Sequence, residues 1–141
     1  MSDPFRFSHR LRVRWVEADM QGVVFNGHYL TYFDIGITEY WRELGQGNLQ
    51  TLMPIIERMF VVRSLCEYRS PARFDDELDV KVRTLRLGRS SLTIGFRIDR
   101  GDEELVSGEN VYVYAEEGAS APLPDVLRSL ILGYEQTAPE A

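Results

Sequence analysis

A chain of 141 residues, 44% of them hydrophobic, has the size and apolar content of one compact domain with its own core, and is too short for two independent folding units. The formal net charge of −6 leaves no global basic field to draw the molecule to nucleic acid or anionic lipid, so an anionic ligand would have to meet a local basic patch. The single cysteine, Cys66, cannot close an internal disulfide, the N-terminal MSDPFRFSHRLRVRW lacks the apolar run of a signal peptide, and no stretch reaches transmembrane length. These features point to a soluble protein in a reducing, cytoplasmic setting.

Taken in chain order, residues 5–15 carry the alternation of a strand, with Leu11, Val13 and Trp15 on one side and Phe5 and Phe7 ahead of them. The acidic pair Glu17 and Asp19 follows, and then a turn between Gly22 and Gly27. Asn26 is a candidate N-cap for a helix that places Leu30, Phe33, Ile37, Tyr40, Trp41 and Leu44 at spacings of three and four. Tyr29, Tyr32 and Gly36 widen its apolar face, which predicts a buried central helix ending at Gly45 and Gly47. A short helical turn near Leu49 to Met53, broken by Pro54, leads to four strand-like runs at about 60–68, 77–87, 91–100 and 104–115. Gly108 is expected to mark a bulge. Pro122 and Pro124 introduce an amphipathic terminal helix carrying Val126, Leu127, Leu130, Ile131 and Tyr134, followed by a polar tail expected to fray. A strand, a long apolar helix, four antiparallel strands and a terminal helix fit an α+β fold in which one sheet wraps a helix.

The run Asp19-x-x-Gly22, followed by Val23-Val24-Phe25-Asn26 and Tyr29, resembles the signature of hotdog-fold acyl-CoA thioesterases of the 4-hydroxybenzoyl-CoA thioesterase type. Tyr68-Arg69-Ser70-Pro71-Ala72-Arg73-Phe74-Asp75-Asp76-Glu77-Leu78 and Leu87-Gly88-Arg89-Ser90-Ser91-Leu92 resemble later segments of the same family in the same order, so the likeness spans about residues 8–135. The resemblance implies a hotdog fold, a five-stranded antiparallel sheet wrapped around the long central helix, filling residues 1–141 as one domain. It further implies homodimers or homotetramers with active sites between subunits. Ala18 stands where the family usually carries Thr or Cys, which bears on substrate choice rather than on reaction class.

Thioester hydrolysis needs a carboxylate or water aimed at the carbonyl carbon and donors aimed at the oxygen where charge develops. A helix start offers unpaired N–H groups and a partial positive charge, so the amides around Phe25, Asn26 and Gly27 suit the oxygen. By the resemblance, Asp19 is the catalytic carboxylate and the Asn26 N–H the principal donor, with Gly27 and Tyr29 beside the substrate. Asp19 could attack directly, giving a mixed anhydride, or activate water, and the sequence leaves both open. Arg89, Ser90 and Ser91 on a tight turn can meet the phosphates of coenzyme A, with Arg86 in support. Glu17 reads as a solvated or salt-bridged strand-end charge, His28 as a capping or packing side chain, and Cys66 as a small core residue. No Cys/His cluster, Walker-type loop or basic-aromatic stripe is present, so no metal, cofactor or nucleic-acid partner is expected. The reading is an acyl-CoA thioesterase, with an acyl carrier protein thioesterase or a non-catalytic acyl-CoA-binding protein as the alternatives.

Overall fold

The computed structural model describes residues 3–141. Its main strands are β1 (Phe7–Arg12), β2 (Met59–Tyr68), β3 (Glu77–Leu87), β4 (Ser91–Arg100) and β5 (Glu103–Glu116), with helices α1 (His28–Leu44), α2 (Met53–Ile56) and α3 (Asp125–Tyr134). The five strands form one antiparallel sheet in the order β1-β3-β4-β5-β2, and a two-residue β6 (Ala119–Ser120) folds back on β5. The sheet curls around α1, which is the hotdog fold.

Strand alternation explains the wrapping. Leu78, Val80, Val82 and Thr84 of β3 and Leu92, Ile94, Phe96 and Ile98 of β4 are all buried on the concave face, while Asp79, Lys81 and Arg83 of β3 and Thr93, Gly95 and Arg97 of β4 alternate with them. Against this face α1 lays Tyr29, Tyr32, Phe33, Ile37, Tyr40, Trp41 and Leu44, all buried, and Phe33 stacks on Phe96 with ring centroids 4.3 Å apart. Gly36 sets the closeness of approach, since a Cβ there would lie 2.6 Å from Val80 Cγ1. Leu127 and Ile131 of α3 are fully buried and close the far end, each contributing roughly 1.5–3 kcal/mol of apolar burial.

Several sequence expectations are corrected here. β1 ends at Arg12, because Val13 already exchanges backbone bonds with the loop before β3 (Val13 N–H to Asp76 O, 2.9 Å; Asp75 N–H to Val13 O, 3.1 Å), and Trp15–Glu17 form a 3-10 turn. The helix begins at His28 with Gly27 as its cap residue and no side-chain cap, so Asn26 is not the N-cap. Pro54 lies in the first turn of α2 rather than breaking a helix, the position where its missing N–H costs nothing. Gly108 does not mark a bulge. It faces Cys66 and Phe96 in unbroken register, and a Cβ there would meet Leu65 O at 2.2 Å and Phe33 Cε2 at 2.8 Å, so close approach of α1 demands the glycine. Register shifts occur instead at Val61/Arg63, Thr84/Arg86 and Ile98/Asp99. The tail does not fray, because Glu140 exchanges backbone bonds of 2.8 Å with Leu85 and Leu87 beside the β3 bulge.

β2 is an edge strand, and it is the least covered part of the sheet. Phe60, Val61, Val62, Leu65 and Tyr68 are all exposed. Among the described residues no helix is long and apolar enough to cross a membrane.

Candidate functional site

The segment between the 3-10 turn and α1 is a tight hairpin. Ala18 pairs with Val24, Phe25 N–H donates to Glu17 O (3.1 Å), and Asp19 N–H donates to Val23 O (2.8 Å). Gly22, at φ +79°, makes the left-handed step of the turn and donates its N–H to Asp19 O at 3.0 Å. The second arm is anchored to the loop after β2 through Val24 N–H to Ala72 O (2.8 Å) and the Val23–Arg73 bridge. That loop is itself braced by Asp76, whose carboxylate accepts Arg73 N–H at 2.8 Å and the Arg100 guanidinium at 2.7 Å.

The acidic pair divides at this hairpin. Asp19 lies at the surface, half-buried, with one carboxylate oxygen accepting the Gln21 N–H at 2.8 Å. Glu17 turns inward and is 4% exposed. Its Oε1 accepts Arg14 N–H at 2.8 Å and the Tyr32 hydroxyl at 2.9 Å, and its Oε2 accepts the Arg14 guanidinium at 2.9 and 3.1 Å. Burial pushes the Glu17 carboxyl up, but the Arg14 N–H, the Tyr32 hydroxyl and the Arg14 side chain outweigh it and hold it below its ordinary value. Glu17 is therefore salt-bridged, as expected, but not solvated.

At the mouth of α1, His28 N–H donates to Phe25 O (2.9 Å) and Tyr29 N–H to Asn26 O (3.3 Å). Among the described residues neither the Asn26 N–H nor the Gly27 N–H meets an acceptor. Asn26 borders a hollow whose other walls are Val24, Tyr29, Tyr68 and Arg69-Ser70-Pro71. Tyr29 forms its floor, its ring edge-to-face with Tyr68 and its hydroxyl accepting Ala72 N–H at 3.0 Å. The Tyr68 hydroxyl donates to Asn26 O at 3.3 Å and so orients the turn. Asp19 borders a second hollow with Trp15, Met20 and Phe74, where the Trp15 and Phe74 rings meet edge-to-face at 5.0 Å. His28 packs edge-to-face on Phe25. Cys66 is half-buried and burial pushes its thiol up, so it offers no ready thiolate.

The structure thus brings Asp19, Asn26, Gly27 and Tyr29 to one hairpin and helix start. It does not bring Arg89, Ser90 and Ser91 there within one chain. Their turn joins β3 to β4 at the far end of β3, roughly 30 Å of strand away from Glu77. The turn is firmly held: Arg89 O accepts Leu123 N–H and Ser90 O accepts Tyr114 N–H, both at 2.8 Å, and the Arg128 guanidinium donates to Gly88 O at 2.7 Å. The Arg89 side chain is left exposed and Arg86 donates to Ala141 O at 3.1 Å. Sequence reasoning assigned no role to Tyr68 or Ser70, nor to the Glu17–Tyr32 contact. The only signals were the Tyr68-Arg69-Ser70-Pro71 segment itself and the Arg14-x-x-Glu17 charge spacing. Among the described residues, no group of three or more His, Cys, Asp or Glu could hold a metal ion.

The chain is 28% identical over 132 residues to the Acyl-CoA thioester hydrolase YbgC of Escherichia coli, covering 92% of this chain and 96% of that protein. It is 33% identical over 95 residues to the Acyl-CoA thioesterase YbgC of Haemophilus influenzae, covering 67% and 69%. A Thermus thermophilus thioesterase solved in complex with coenzyme A and zinc superposes with a TM-score of 0.82 at 30% identity, covering 94% of this chain and 96% of that one. Residues 21–107 match the family model described as the Thioesterase superfamily, and the chain belongs to that family.

Proposed function

We propose that this protein hydrolyses acyl-CoA thioesters to a free carboxylic acid and coenzyme A, with Asp19 as the reacting carboxylate and the Asn26 and Gly27 N–H groups as donors to the thioester oxygen. The observation that carries the reading is the pair of unpartnered N–H groups at the start of α1, at the end of the hairpin that holds Asp19. A 17-residue helix behind them adds the positive end of its dipole, so charge developing on the thioester oxygen would be met without reorganisation. Asp19, with only one backbone donor, keeps an oxygen for the carbonyl carbon or for a water. The kinship with the YbgC acyl-CoA hydrolases and with the coenzyme A-bound thioesterase supports coenzyme A as the carrier.

The active unit in this reading is a homo-oligomer built on the β2 edge. That edge exposes a row of apolar side chains, with Phe60 57% and Val62 61% exposed, a surface that calls for a partner. A two-fold axis through the sheet pairs two copies of β2 antiparallel. Met59 of β2 is registered with Tyr114, near the Arg89 turn, whereas Tyr68 lies at the α1 start. Antiparallel pairing therefore carries the Arg89-Ser90-Ser91 turn of one copy towards the Asn26 hollow of the other, where it can meet the phosphates of coenzyme A. The test is thiol release from aromatic, short, medium and long acyl-CoAs by purified protein. Turnover of at least one class is expected. No turnover of any acyl-CoA, with acyl carrier protein thioesters cleaved instead, would contradict it.

A further inference from the structure

We infer that Glu17 is a positioning residue: through Tyr32 and Phe25 it fixes the hairpin that carries Asp19 against the start of α1. The inference rests on the assignment of Asp19 as the reacting carboxylate. A carboxylate taken out of water costs several kcal/mol unless its lone pairs are met, and here four donor contacts converge on two oxygens. Oε1 alone joins two elements, the backbone of Arg14 at the end of the first strand's extension and the hydroxyl of Tyr32 on the helix. The carbonyl of the same residue accepts the Phe25 N–H, one residue before Asn26. One residue thus ties the strand exit, the body of the helix and the approach to the helix start. Asp19 lies two residues beyond it on one arm, and the unpartnered Asn26 N–H lies one residue beyond Phe25 on the other. The separation between carboxylate and oxyanion donors is set by this tie, and displacements of about 1 Å at a reacting centre cost up to 10²-fold in rate.

Glu17 touches no hollow in which substrate would sit, so its effect has to pass through Asp19 and the helix start. The two oxygens also differ in what they hold. Oε1 carries the contacts to backbone and helix, whereas Oε2 carries only the guanidinium of Arg14, a side chain 72% exposed. Glu17→Gln can keep an oxygen at Oε1 with both its donors, so the geometry and not the negative charge is the part that should matter.

The experiment is steady-state kinetics on Glu17→Ala, Glu17→Gln, Tyr32→Phe, Asp19→Asn and the double variant Glu17→Ala/Asp19→Asn, with one acyl-CoA, well below the Tm of each variant. Glu17→Ala and Tyr32→Phe should each lower kcat about tenfold with KM within about twofold of the parent. Glu17→Gln should retain most of the rate, and Glu17→Ala should add no further loss in the Asp19→Asn background. Parent-like kcat in both Glu17→Ala and Tyr32→Phe, or losses that multiply in the double variant, would overturn the inference. Should Glu17→Ala not fold, Tyr32→Phe decides it, because that change removes a single hydroxyl. An Asp19→Asn variant at the parent rate would instead bring down the Asp19 assignment, and this inference with it. A slow Asp19→Asn beside a fully active Glu17→Ala and Tyr32→Phe would remove this inference alone.

Discussion

The two ends of α1 solve one problem in opposite ways. Each sets a buried helix tyrosine against a buried glutamate: Tyr32 against Glu17 near the start, and Tyr40 against Glu135 near the end. At the start Arg14 supplies a cation and a backbone donor, and the carboxyl is held below its ordinary value. At the end burial pushes the Glu135 carboxyl up, the Tyr40 hydroxyl and the Thr84 N–H (3.0 Å) only partly offset it, and Oε1 has no partner. The surroundings diverge in step. The start carries two hollows and two unpartnered N–H groups, while near the end α3 packs over the Tyr40–Glu135 pair, with Tyr134 edge-to-face on Tyr40.

The comparison breaks most visibly if the open end is not completed by a second copy. Val62→Asp on the β2 edge should convert an oligomer to monomers in sedimentation and lower acyl-CoA hydrolysis by about 10²-fold or more, since each site would lose its partner. Monomers with full activity would show that the open end is complete in one chain.

Near the end of α1, Tyr40→Phe removes the hydroxyl shared by Thr84 and Glu135. It should cost about 1–3 kcal/mol in denaturant unfolding while kcat stays within twofold, the reverse of the Tyr32→Phe outcome. The pH dependence sharpens the same contrast. A carboxyl with a raised folded-state value binds its proton more tightly folded than unfolded. The contribution of Glu135 is thus complete below the ordinary carboxylate value of 4.5 and is lost as pH climbs through its raised value. Glu17 has the opposite sign, stabilising above 4.5 and losing that contribution as pH falls through its depressed value. Relative to the parent, Glu135→Gln should therefore gain stability in thermal melts as pH rises above 4.5, whereas the deficit of Glu17→Gln should be complete above 4.5 and fade as pH falls below it. The smallest effect is expected of Arg89→Ala, a few-fold rise in KM for acyl-CoA with kcat unchanged and no rise for a truncated thioester lacking the nucleotide. Equal losses on both substrates would make Arg89 structural.

Much of this contrast lay within reach of the sequence, and what escaped was set by long-range partners. The concave faces of β3 and β4 were legible because Leu78, Val80 and Val82, and Leu92, Ile94, Phe96 and Ile98, fall on every second position. Alternation misled at Trp15, which continues the pattern but is 74% exposed on a 3-10 turn, since the bonds of Val13 to Asp75 and Asp76 cannot be read locally. Gly108 looked like a bulge because its reason, the ring of Phe33, lies 75 positions earlier. The turn that joins Asp19 to the helix start was legible in a contiguous motif, Asp19 to Tyr29. Glu17 was not, because a glutamate beside an arginine reads as solvated until Tyr32, 15 residues on, is seen to receive it. The tail looked frayed for the same reason, its partners being the groups freed by a bulge in β3.

The most direct test of the central claim is single-turnover hydrolysis of a good acyl-CoA by the parent and by Asp19→Asn, with acyl-CoA affinity measured on the same samples. The account predicts a rate lower by about 10²-fold or more in Asp19→Asn, with affinity unchanged or tighter, because the helix start still receives the carbonyl. An Asp19→Asn variant that cleaves at the parent rate would contradict it.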